Sequence, residues 1–198
     1  MLKKIAEIIS LILNPIFLAL VLVLLGIEKS HLGQNNLMLF TIFALTVNGL
    51  LPFGFVYYFI QKGKAIDDIL GNKEVLKNRS FVLACALIIL LLETLLLYLF
   101  QKPQPLFAIL TVLLFLVLAL FVVNFYGKIS IHMAMTTVLC LAILALFGFS
   151  FWPILFLLPI VAWSRLYLLK HTKKQLFAGF LVASVIAYFV IFYLYSYS

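Results

Sequence analysis

Two histidines, His132 and His171, stand in short polar stretches between long apolar runs, and cationic side chains flank both. One stretch reads GKISIHMA (127–134) and the other SRLYLLKHTKKQ (164–175). A third polar stretch, DDILGNKEVLKNRS (67–80), adds Lys73, Lys77 and Arg79. Together these residue types suit phosphoryl transfer. Cations bind and neutralise a phosphate, one imidazole attacks phosphorus, and the other protonates the leaving group. No metal is needed for that chemistry, and no cofactor is expected. It does require three segments far apart in sequence to meet at one place.

What must position them is set by composition. The 198-residue chain is 67% hydrophobic and 10% charged, with a mean hydropathy of +1.27. A soluble domain cannot hide that much apolar surface, so the chain reads as one integral membrane domain over residues 1–198. Its net charge of +8 then points to cytoplasmic anchoring, anionic head groups or an anionic substrate, and not to nucleic acid. Cys85 and Cys140 lie inside apolar runs and form neither a disulfide framework nor a metal-ligand spacing. The first apolar stretch contains Asn14-Pro15 and lacks a small-residue cleavage site, so no cleavable signal peptide is expected.

A spanning helix needs about 20 apolar residues. The expectation is an all-α, polytopic transmembrane bundle of about seven spans, at 5–26, 37–60, 80–100, 105–126, 129–148, 151–169 and 175–196. Helices are the expected form because they satisfy their own backbone groups in lipid. Seven spans put the N-terminus and the loops at 61–79, 127–128 and 170–174 on one face. Of the 14 Lys and Arg residues, only Lys29 and Lys102 fall on the other face. Twelve against two is a strong positive-inside bias. Setting aside Lys73, Arg79, Lys128 and Arg165 as ligand-binding candidates still leaves eight against two. A multi-pass protein of a bacterial inner membrane is expected, with its N-terminus and candidate site on the cytoplasmic side.

The order of these residues resembles the type-2 phosphatidic acid phosphatase superfamily, membrane lipid phosphatases related to the vanadium haloperoxidases. Its third motif is S-R-x5-H-x3-D, and Ser164, Arg165 and His171 follow it, with Gln175 in the last place. Leu176 to Gly179 is similar to the usual continuation. The second motif, P-S-G-H, is matched at Ser130 and His132 within Ile129-Ser130-Ile131-His132. The first, K-x6-R-P, is approached by Lys73 and Arg79, one residue too close, with Ser80 in place of proline. The resemblance covers about residues 60 to 180.

It implies a six-helix phosphatase-like core and a metal-independent hydrolase acting on a phosphorylated or diphosphorylated lipid within the bilayer. His171 would be the nucleophile that becomes phosphohistidine, and His132 the general acid. Arg165, Arg79, Lys73 and the Ser130 hydroxyl would bind phosphate oxygens, with Lys128 a further candidate and Lys77 a rival to Lys73. Gln175 stands where the family aspartate orients the nucleophile. At i+4 it reaches His171. Its amide oxygen could accept the Nδ1 proton and leave Nε2 free, or its amide nitrogen could donate and fix the opposite tautomer. An aspartate-to-amide change in a protease triad costs about 10⁴ in rate for that reason. The alternative is therefore a catalytically impaired relative that binds anionic lipid or serves as a membrane scaffold.

Other polar residues have plainer readings. Lys170, Lys173 and Lys174 suit interfacial anchoring. Glu93 sits about 13 residues into the third span, roughly 20 Å from the charged face, and is expected to form an interhelical hydrogen bond. Asn48 and Asn124 read as helix-packing contacts. Pro15, Pro52, Pro153 and Pro159 mark kinks or boundaries. Asp67 and Asp68 are on the correct face to serve His171, but one acidic pair is too little for a Mg²⁺-diphosphate site. A small transporter lacks support, because the sequence shows no charged pathway or repeat symmetry.

Overall fold

The structure is a computed structural model that describes residues 1–61, 73–99 and 103–195; side chains are described for these except 59, 60, 73–76 and 191–195. Among the described residues there are helices and turns and no strand. The α-helices are α1 (Leu2–Ile12), α2 (Pro15–Lys29), α3 (Gln34–Ala44), α4 (Leu51–Gln61), α5 (Lys73–Leu99), α6 (Leu106–Val123), α7 (Ile131–Phe147), α8 (Leu157–Tyr167) and α9 (Lys173–Tyr195). A π-helical turn, Leu45–Leu50, joins α3 to α4, and a 3-10 stretch, Phe149–Phe156, leads into α8.

Among the described residues, five helical segments are long and apolar enough to cross a membrane, or six if the bent pair α1–α2 counts as one span. The fifth expected span, 129–148, corresponds to α7, whose 17 residues rise about 26 Å at 1.5 Å each, short of a hydrocarbon core of about 30 Å. The first expected span is not straight. Leu2–Ile12 and Pro15–Lys29 meet at 41°, because Asn14 ends one helix and starts the next. Its side-chain oxygen accepts the Ile16 N–H at 2.9 Å, and Pro15 occupies the first helical position, where no N–H is needed.

At the centre lies α6, apolar on every side, with Leu113, Leu116 and Leu120 fully buried. It packs between α5 and α9, while α2 and α9 flank α7. The α7–α9 contact is close because Gly179, Ala183 and Ala187 repeat every four residues and are all buried on α9. Small residues at that spacing let two helix backbones approach in lipid. The outward faces are apolar too: Ile88, Leu91, Leu92 and Leu95 on α5 are more than half exposed, as a lipid-facing surface requires.

The loops gather at two ends. At one, Leu106 N–H donates to Ser30 Oγ at 3.0 Å and Lys29 Nζ lies 4.5 Å from the centre of the Phe147 ring. At the other, α1 meets the end of α8, with Ser164 Oγ donating to Ala6 O at 2.7 Å. The described ends of α5, α6, α7, α8 and α9 that carry the three polar stretches all lie there.

Candidate functional site at the polar end of the bundle

His171 occupies the link between α8 and α9, and both helix ends fix it. α8 closes in a Schellman motif: Lys170 N–H donates to Arg165 O and Leu169 N–H to Leu166 O, each at 3.0 Å. Leu169 takes the left-handed φ of 52° that this motif needs. α9 opens with a capping box, in which Gln175 N–H donates to Thr172 Oγ1 at 3.3 Å and Thr172 N–H to Gln175 Oε1 at 3.1 Å.

That capping box settles the orientation of the Gln175 amide. His171 Nδ1 lies 3.2 Å from the same Oε1. A backbone N–H can only donate, so the amide atom facing Thr172 is the oxygen. An oxygen cannot donate, so the proton between it and His171 sits on Nδ1. In the neutral ring Nε2 is then the nitrogen that carries the in-plane lone pair. The pattern Thr-x-x-Gln at 172–175 was the sequence signal for this arrangement.

The second histidine is placed by α7. Ser130 caps that helix, its Oγ accepting the Met133 N–H at 3.3 Å, so His132 falls in the first turn. Three bonds then tie the polar stretches together. Ser130 N–H donates to Gln175 O at 3.1 Å, Arg79 Nη2 to Ile129 O at 2.6 Å, and Lys128 Nζ to Lys170 O at 3.3 Å. Gly179 completes the junction, since a Cβ there would stand 2.6 Å from Ser130 O.

Arg79, His132 and His171 line one cavity of about 670 Å³, within the range of small-molecule sites. Away from these three the cavity is largely apolar. Its wall along α5 runs from Arg79 through Leu83 to Leu90, a rise of about 16 Å. Asn48, on the π-helical turn, and Asn14, at the α1–α2 bend, add polar groups to it. The shape suits an amphiphile with an anionic head and an apolar tail. Among the described residues no three His, Cys, Asp or Glu side chains are grouped to hold a metal ion.

The expected phosphate ligands do not all meet there. Arg165 is 3% exposed, its Nη1 donates to Ser10 Oγ at 2.6 Å on α1, and it is not among the residues that line the cavity. The arginine of the cavity is Arg79. Ser130, expected to meet a phosphate oxygen, is fully buried as a helix cap. Lys128 is also buried and reaches the backbone of Lys170. The Lys73 side chain lies outside the described residues, as do Asp67 and Asp68, and Lys77 is exposed.

The interhelical readings of Asn48, Glu93 and Asn124 hold. Asn48 Nδ2 donates to Glu93 Oε1 at 2.8 Å, and Asn124 Nδ2 to Ser80 Oγ at 2.8 Å. Comparison with protein-family models, with curated proteins and with solved structures returns no match for this chain.

Proposed function

We propose that this chain is a membrane lipid phosphatase of the type-2 phosphatidic acid phosphatase kind. It hydrolyses a phosphate or diphosphate ester from a lipid at the cytoplasmic face. The observation that carries this reading is the opening of His171, His132 and Arg79 onto one amphiphilic cavity. The lipid tail occupies the apolar part and the phosphate meets the two imidazoles and the guanidinium.

In the first step His171 Nε2 attacks phosphorus while Gln175 Oε1 holds the Nδ1 proton. The bond from phosphorus to the leaving oxygen breaks, and His132, protonated at the outset, gives that oxygen its proton. Neutral His132 then takes a proton from water, whose oxygen attacks the phosphohistidine. Inorganic phosphate leaves, and both histidines return to their starting states. Arg79, which also holds Ile129 O through Nη2, contributes its guanidinium charge to binding the phosphate oxygens throughout.

Gln175 orients the nucleophile without supplying negative charge, so the imidazolium formed by attack has less support than a carboxylate would give. That neutrality, with Arg165 engaged by Ser10, favours a second reading in which the protein binds anionic lipid without turnover. Phosphate release from phosphatidic acid and from a polyprenyl diphosphate by purified protein separates the two. Release that His171→Ala abolishes supports the phosphatase. Equal release by His171→Ala and wild type rules out the nucleophile, and tight lipid binding with no release favours the second reading.

A further inference from the structure

Beside the cavity, far from the histidines, lies a second polar feature. Glu93 and Arg79 are both on α5, 14 residues apart, which is about 21 Å along the helix axis. Glu93 is 6% exposed. Its Oε1 accepts from Asn48, while its Oε2 is buried with no hydrogen-bond partner among the described residues. Asn48 lines the large cavity. Together with Glu93 it also lines a smaller chamber of about 30 Å³, enough for one water-sized group.

A carboxyl oxygen left without a partner in apolar surroundings is costly. A π-helical turn places Asn48 beside it, and such turns recur at functional sites. An ionised Oε2 calls for a donor, and a protonated one calls for an acceptor. A hydroxyl group supplies both, whichever state the carboxyl takes.

We propose that Asn48 and Glu93 form a distal subsite for a hydroxyl carried on the tail of the ligand whose phosphate lies at His171. The inference rests on the phosphatase reading and adds a requirement on the tail. The ligand is then recognised at both ends, by charge near Arg79 in the cavity and by a hydrogen bond at the Asn48–Glu93 pair, Asn48 lining both the cavity and the small chamber.

Binding of n-alkyl phosphates of graded length, with and without a terminal hydroxyl, to detergent-solubilised His171→Ala protein tests this without turnover. At one chain length the hydroxyl is expected to tighten binding by roughly tenfold, the worth of one well-made buried hydrogen bond. The gain is expected to vanish in a Glu93→Leu background and to persist in part with Glu93→Gln, whose amide both donates and accepts. A terminal hydroxyl that brings no gain at any length, or a gain that survives Glu93→Leu, overturns the subsite. If no alkyl phosphate binds at all, the phosphate-site reading fails instead.

Discussion

His171 Nδ1 lies 3.2 Å from Gln175 Oε1, and the same oxygen accepts the Thr172 N–H at 3.1 Å. One side chain thus closes the first turn of α9 and sets the tautomer of the candidate nucleophile. Replacing Gln175 by Leu removes both bonds, and phosphate release is expected to fall by about 10²- to 10⁴-fold. Gln175→Glu keeps the reach and the capping box and adds a negative charge beside the imidazolium, so release is expected to rise. Initial rates of phosphate release from the two purified variants check both directions.

His132 acts on the leaving oxygen, so the effect of its loss depends on the ester. On an alkyl phosphate His132→Ala is expected to lower the rate by about 10²- to 10⁴-fold. On p-nitrophenyl phosphate, whose leaving group needs no proton, the loss of the first step is expected to be far smaller. His171→Ala is expected to be inactive on both. Pre-steady-state release of nitrophenol separates these cases.

The two arginines differ in what they hold. Arg79 lines the cavity, whereas Arg165 donates to Ser10 on α1. Arg79→Lys keeps the charge but loses the planar guanidinium that meets both the phosphate and Ile129 O, and is expected to raise KM by roughly tenfold. Ser10→Ala leaves a buried guanidinium short of an acceptor and is expected to cost about 1–3 kcal/mol of stability, with KM unchanged. Thermal unfolding and steady-state kinetics on the two variants check this division.

Gly179 sits where a side chain has no room. A Cβ there would stand 2.6 Å from Ser130 O, which is backbone and cannot swing aside. Gly179→Ala is expected to push α9 from α7 and to destabilise the fold by about 1–3 kcal/mol. Because Gln175 and Ser130 are bonded across the same junction, activity is expected to fall as well. Gly127→Ala, with open space around the added methyl, serves as the control. Thermal unfolding in detergent is the measurement.

Much of this site was legible before any fold was known. Apolar run length gave the helices, and alternation of spans put the segments around residues 79, 129 and 171 at one end, where three hydrogen bonds now join them. The pairing of Glu93 across helices was legible too, because an ionisable group in lipid must find a partner. The break at Asn14 was legible too, since Pro15 marks a kink or boundary and the structure bends there by 41°. The π-helical turn at 45–50 was not, because apolar residues run through it and only the local backbone bonds distinguish it from a regular helix.

The sequence by itself determined that the chain is helical, with runs long and apolar enough to cross a membrane, and that alternation of those runs puts two histidines toward one end. Bilayer thickness and the need to satisfy backbone groups in lipid leave few other choices. Tertiary structure decided which residues face the cavity. Arg79 and Arg165 are equivalent as letters, yet one lines the cavity with the histidines and the other donates to Ser10, because α5 and α8 pack against different helices. It also decided which atom of the Gln175 amide meets His171. That choice rests on the Thr172 N–H, a backbone donor whose direction exists only once α9 has begun.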